Sequence, residues 1–237
     1  MSIEGVAGAR ATRGGQGPLA VTACDIIDAL RRCAVTIARH EVLLDRLDAA
    51  LGDGDHGANM VVGLDAAVRT VDASQAYRGA TDIGELLQLV GHTLVASVGG
   101  ASGPLYGTAF IEAGFALAGV TSLDLPGIAD AFEIGTAALA RRGRCTLGDK
   151  TILDSLEPAA RALRVAASDH RPLGHALGDA AVAARVGMIA TTPLIARRGL
   201  ALRLGERSRG HQDPGATSCF LLVRAISAQA DRGGRRV

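Results

Sequence analysis

The sequence predicts an all-α protein of eight helices, packed as a bundle or as a closed ring with antiparallel neighbours. Three observations predict it. Apolar residues recur at three- and four-residue spacing along most of the chain. Alanine, the best helix former, is abundant, while large rings are scarce, with four Phe, two Tyr and no Trp. No run of strict apolar–polar alternation lies between hairpin turns, and the connections are mostly short. A core short of aromatic rings must be filled by Leu, Val, Ile and Ala, which favours helices packed closely through small side chains. Each amphipathic face needs a partner, so a bundle or a ring follows, and periodicity alone does not separate the two.

The first helix is expected over 22–48, with Ile26, Ile27, Leu30, Ala34 and Ile37 along one face. The second, 57–72, follows an acidic, glycine-rich turn. The third, 82–98, carries Ile83, Leu86, Leu87, Val90, Leu94 and Val98 on one side. The fourth, 103–119, opens at Ser102 and Pro104, and the fifth spans 126–142. The sixth, 151–168, follows Asp149 and Lys150 and buries Ile152, Leu153, Leu156, Ala160, Leu163 and Ala167. The seventh spans 172–196. The eighth, 214–230, has Pro214 in its first turn, where a missing N–H costs nothing. Ser102, Asp149 and Asp213 are the candidate N-caps. Residues 1–19 read as a flexible leader, 20–230 as one domain and 231–237 as a flexible tail.

A chain of 237 residues is ample for a sizeable core. The formal net charge of +1 gives no basic surplus for a nucleic-acid backbone. Cys24, Cys33, Cys145 and Cys219 form no CxxC pair and no zinc spacing, and read as small core hydrophobes. The helical stretches are broken by charges, so no membrane span is expected, nor a signal peptide. A cytoplasmic location is the default.

The strongest local signal is the stretch 47–60, LDAALGDGDHGANM. Asp48, Asp53 and Asp55 lie within eight residues, and the interleaved glycines let the backbone curl them toward one centre. Close carboxylates repel unless a cation neutralises them. Oxygen ligands suit Mg²⁺, which shares phosphate oxygens; a calcium site or a plain solvated turn are the alternatives. His56 is placed either to contact a phosphate or to cap and orient Asp53, and Asn59, one helical turn on, to do the same. Residues 98–108, VGGASGPLYGT, match neither the P-loop nor GxGxxG. Their glycines still permit close backbone approach, and the amides of Ala101, Ser102 and Gly103 are placed to meet a phosphate. The later turns, 145–151 and 204–217, are dense in hydrogen-bonding groups. Lys150 reads chiefly as a solvated turn lysine, Asp154 as structural, and Arg207 as a contact for a phosphate or a partner protein.

Four stretches together, LDAALGDGDHGANM, VGGASGPLYGT, LGDKTILDSLEPA and LGERSRGHQDPGATS, resemble the nucleotide-binding L subunit of dihydroxyacetone kinases, over roughly 22–230. The resemblance implies a barrel of eight antiparallel helices. It implies two Mg²⁺ ions on Asp48, Asp53 and Asp55, bridging the phosphates of ATP or ADP. His56, Asn59, Gly100, Ala101 and Ser102 then fall on the phosphate side. Gly148, Thr151, Arg207, Asp213, Pro214 and Gly215 fall in the stretches that enclose the nucleotide. The hydroxy-ketone would be held by a separate K-type subunit, and a phosphotransferase-system protein is a possible phosphoryl donor, so this chain would be a kinase subunit inactive without its partner. A nucleotide-sensing or interaction module, and a domain serving fatty-acid phosphorylation, are the competing functions. Leu200-Ala201-Leu202-Arg203 replaces the family's more polar Arg-Ala-Ser-Tyr.

Overall fold

The computed structural model describes residues 20–74 and 82–233, with side chains to Ala228. The expected leader, 1–19, and residues 234–237 of the expected tail lie outside the described residues. The remainder is mostly helical: α1 (Ala23–Ala49), α2 (His56–Ala73), α3 (Ile83–Ser97), α4 (Ser102–Ala116), α5 (Leu125–Gly143), α6 (Leu153–Ser168), α7 (Leu173–Ala190) and α8 (Pro214–Gly233). A 3₁₀ helix over Leu200–Ser208 precedes α8, in a stretch the periodicity does not mark. Two short strands, β1 (Val21–Thr22) and β2 (Ser122–Leu123), pair antiparallel, with Val21 opposite Leu123.

Each helix packs against the next, and α8 packs against both α7 and α1, so the order of contacts returns to its start. Buried Ile37, Leu44, Met60, Leu86, Leu94, Leu139, Leu153 and Leu163 fill the interior. The small-residue packing expected from composition is most direct between α3 and α4. A Cβ on Gly84 would lie 2.5 Å from the Gly114 carbonyl oxygen, and one on Gly91 2.7 Å from that of Gly107. These pairs set the backbones in contact and require the two helices to run antiparallel. A second close approach joins α6 and α7. Pro158 cannot donate the helical bond to the Asp154 carbonyl. Gly187 of α7 lies against that oxygen, and a Cβ there would overlap it.

Helix starts explain several boundaries. Thr22 and Asp25 form a capping box on α1, with Asp25 Oδ2 accepting from Thr22 N at 2.9 Å. Asp82 Oδ1 caps α3 through Gly84 N (2.7 Å), and Asp124 Oδ1 caps α5 through Gly127 N (2.9 Å). The seventh helix ends at Ala190, short of the expected 196, because Pro193 cannot continue a helix and Thr191 turns the chain. Neither Ser102 nor Asp149 acts as the expected cap. The Ser102 side chain is turned toward α2, and α6 starts only at Leu153 because Gly148 and Lys150 take positive φ values of 88° and 63°. Cys33, Cys145 and Cys219 are buried, whereas Cys24 is exposed.

The connections sort by end. The α1–α2, α3–α4, α5–α6 and α7–α8 connections share one cavity. The opposite end is tied by the β1–β2 pair and by Asp82 Oδ2, which accepts from Gly119 N at 2.7 Å across the α2–α3 and α4–α5 connections.

Candidate nucleotide and metal site

The cavity at the first end has a volume of about 490 Å³. Asp48, Asp53, Asp55, His56, Asn59, Gly100, Ala101, Ser102, Thr151, Asp213, Pro214 and Gly215 all line it, from four separate stretches of the chain. Gly148 and the exposed Arg207 are not among its lining residues. Arg142, at the end of α5, and Arg198 line it as well, as do Leu105, Leu139 and Leu200. Arg142 carries no sequence signal that separates it from an ordinary arginine at a helix end, and Arg198 is marked only as one of the arginines clustered over 196–211, beside polar residues able to form a site.

The acidic turn is built around Asp48. Its Oδ2 accepts from the backbone N–H of Gly54 (2.9 Å), Asp55 (3.1 Å) and His56 (3.3 Å). This curls the loop over the end of α1 and turns Asp53 and Asp55 back toward Asp48. One carboxylate oxygen from each of the three falls within 4.8 Å of the others. Burial pushes the Asp48 carboxyl above its usual range; the Gly54 and Asp55 amides oppose the rise, and the Asp53 charge adds to it. With Oδ2 committed to the loop, Oδ1 is left for a further ligand. Three convergent hard oxygens, two of them exposed, are a donor set that fits Mg²⁺. The start of α2 is held by Asp45, which the sequence does not single out: its Oδ1 accepts from Gly57 N (2.7 Å) and Ala58 N (3.1 Å).

The glycine turn faces this cluster. A Cβ on Gly99 would lie 2.5 Å from Asn59 Oδ1, so the absence of a side chain there lets Asn59 lie across the turn. His56 is buried, and both its ring nitrogens meet serine hydroxyls: Nδ1 lies 3.2 Å from Ser102 Oγ and Nε2 2.9 Å from Ser218 Oγ. Burial pushes the imidazole down to about 4, against the pull of the Asp45 charge, so the ring is neutral near pH 7. Ser218 Oγ also meets the buried Tyr106 hydroxyl at 2.9 Å and the Gly215 carbonyl at 3.0 Å. Tyr106 and Ser218 sit inside motif stretches, but nothing in their spacing marks them as partners of His56.

The far wall is held by Lys150 and Asp213. Lys150 is buried rather than solvated, and its Nζ donates to the carbonyls of Thr191 (2.8 Å), Leu194 (3.2 Å) and His211. This pins the segment between α7 and α8 against the α5–α6 turn. Asp154 closes that turn, with Oδ1 accepting from Gly148 N (2.6 Å) and Oδ2 from Thr151 N (2.7 Å). Asp149 accepts from Thr146 N (3.0 Å) and pairs with Arg198 (3.2 Å). Asp213 caps α8 as expected, its Oδ2 accepting from Ala216 N at 2.6 Å. Burial raises its carboxyl to about 7; the Ala216 amide and Lys150 oppose this, while Asp154 and Asp48 add to it.

The class of protein is that of a mostly helical domain whose helix contacts return to their start, with an acidic cluster and a glycine turn lining one cavity. The chain belongs to the DAK2 domain family, whose model matches residues 50–228. It is 37% identical over 212 residues to the ADP-binding subunit DhaL of the PEP-dependent dihydroxyacetone kinase of Escherichia coli, covering 90% of this chain and 99% of that one. It is 36% identical to a second such subunit from Listeria innocua, covering 83% and 90%. It is also 36% identical to the L-erythrulose 1-kinase of Mycolicibacterium smegmatis, covering 88% of this chain but 36% of that longer protein. The dihydroxyacetone kinase of C. freundii, crystallised with AMP-PNP and Mg²⁺, shares the fold, with a TM-score of 0.67 and 24% identity, over 96% of this chain and 38% of that one.

Proposed function

We propose that this chain is the nucleotide-presenting subunit of a dihydroxyacetone-type kinase. It would hold Mg-ATP, or a resident ADP acting as phosphoryl relay, and serve transfer to a small ketose or sugar alcohol held by a K-type partner. The observation that carries the reading is the convergence of three carboxylate oxygens within 4.8 Å, facing the glycine turn across one cavity. The relatives' names support the kinase and nucleotide parts of it. The eight-helix antiparallel barrel belongs to the same reading and is supported by the circular order of helix contacts. A cytoplasmic location does too; among the described residues no helix is long and apolar enough to cross a membrane.

In this reading Asp48, Asp53 and Asp55 hold two Mg²⁺ ions. When bound, these draw negative charge from the phosphates during transfer. The chain's own part is positional. The amides of Gly100, Ala101 and Ser102 and the Ser102 hydroxyl fix the phosphates, with Asn59 beside them. Thr151, Asp213, Pro214 and Gly215 enclose the nucleoside end, with Gly148 shaping the turn before Thr151. Arg207, exposed and outside the cavity lining, is assigned to the partner face. The reacting hydroxyl comes from the partner, which makes this chain inactive alone.

The relay mode is favoured over ATP consumption because two high-coverage relatives are named as ADP-binding subunits of PEP-dependent kinases. In that mode a phosphotransferase-system protein is the donor. Calorimetry with Mg-ADP and Mg-ATP tests nucleotide binding, and Asp53→Ala should abolish it while the fold persists; unchanged affinity sinks the assignment. Exchange of labelled ADP during turnover with a K-type partner separates the modes: retention supports the relay and rapid release supports ATP use.

A further inference from the structure

The phosphate reading above leaves a buried chain of hydroxyls behind Ser102 unused. Tyr106 is fully enclosed, so its O–H must find an acceptor inside the protein. Ser218 Oγ at 2.9 Å is nearer than the Gly215 carbonyl at 3.4 Å. Ser218 then has one proton and two acceptors for it, His56 Nε2 at 2.9 Å and the Gly215 carbonyl at 3.0 Å. A neutral imidazole has one donor and one acceptor nitrogen, so the choice at Ser218 dictates the other side of the ring.

Two complete arrangements follow. In the outward one Tyr106 donates to Ser218, Ser218 donates to Nε2, and Nδ1–H donates to Ser102 Oγ. The Ser102 proton is then free to point into the cavity. In the inward one Ser102 donates to Nδ1, Nε2–H donates to Ser218, and Ser218 donates to the Gly215 carbonyl. Ser102 then shows only lone pairs to the cavity. A phosphate oxygen is an acceptor, so it is repelled by the inward arrangement and held by the outward one.

We propose that, with a nucleotide phosphate in the cavity, His56 is a positioning residue that accepts from Ser218 on Nε2, carries its proton on Nδ1 and so fixes the Ser102 hydroxyl as a donor toward that phosphate. The inference rests on the phosphate reading of this cavity and assigns to Ser218 and Tyr106 a role that their burial alone does not reveal. It also means that His56 acts on the ligand through Ser102 rather than by its own ring nitrogen.

The direct test needs no variant. The full chain, labelled with ¹⁵N-histidine and saturated with Mg-ADP, is examined by ring-nitrogen NMR, with His56→Asn used to assign the signal. The expected result is a His56 ring protonated on Nδ1 and bare on Nε2. Protonation on Nε2 alone in the Mg-ADP complex overturns the proposal and leaves the nucleotide reading intact. A wild-type chain that takes up no Mg-ADP overturns both. In support, Ser218→Ala should weaken Mg-ADP binding by about tenfold, the loss of one hydrogen bond to a charged group. His56→Ala should do the same, and His56→Asn, whose amide nitrogen sits near the Nδ1 position, should recover most of the loss. Equal affinities across these folded variants also overturn it.

Discussion

The aspartates of the acidic turn should separate into one that builds the loop and two that serve only the ligand. Asp48 Oδ2 holds three backbone amides, whereas Asp53 and Asp55 are exposed. At the 4.8 Å limit of their separation, each carboxylate pair repels by about 0.9 kcal/mol in a water-like dielectric and about 3.5 kcal/mol at an effective value of 20. The exposure of Asp53 and Asp55 places them nearer the first figure. Asp53→Asn removes two such pairs and no loop bond, so without metal it should stabilise the protein by about 1–2 kcal/mol. Asp48→Ala relieves the same repulsion but loses three amide bonds, at about 1.5 kcal/mol each, for a net loss of about 3 kcal/mol. Urea unfolding in EDTA reads both shifts. Adding Mg-ADP at about a hundred times its Kd should then raise the wild type by about 2.7 kcal/mol and leave Asp53→Asn unmoved. If Asp53→Asn is less stable than wild type in EDTA, or keeps the gain from Mg-ADP, the reasoning fails.

Gly187→Ala should cost about 3 kcal/mol or more in urea unfolding, because the new methyl overlaps the Asp154 carbonyl and α6 and α7 must part. Lys150→Met should lose about 2–4 kcal/mol by leaving the carbonyls of Thr191, Leu194 and His211 without their donor, with faster amide exchange across 191–213 as the local readout. For Asp213 the sign is set by a carboxyl raised to about 7 in the fold against 3.8 when unfolded. Between these values the folded state binds more protons, so its contribution to stability is present below pH 4 and is lost as pH rises to about 7. Asp213→Asn, which keeps an acceptor for the Ala216 amide, should flatten the stability profile of the ligand-free protein in that window.

Much of the helical order is legible because apolar spacing is a local property. The acidic turn is legible for the same reason, since Asp48, Asp53 and Asp55 announce themselves within eight residues. Lys150 is not, because its burial depends on carbonyls 41, 44 and 61 positions away. A lysine beside glycine and aspartate in a turn looks solvated until those partners are in place. Asp45 is hidden in the same way: it reads as one more polar residue on α1, and only the docking of α2 shows it to be a cap. Ser102 looks like a cap because serine before a glycine-proline start has that chemistry, yet His56, 46 residues earlier, takes its hydroxyl. The end of α7 was written in Pro193, although the apolar residues beyond it suggested continuation.

The sorting of connections between the two ends bears on how such a fold can be wired to another domain. The chain enters α1 beside the β1–β2 pair and leaves α8 on that same side, so both attachment points face away from the cavity mouth. A covalently joined partner would need a tether that climbs the flank of the molecule. With 27 residues in α1, that climb is about 40 Å, and a fully extended linker would need about 12 residues to make it. Association of separate subunits carries no such length requirement and lets the mouth be approached head-on.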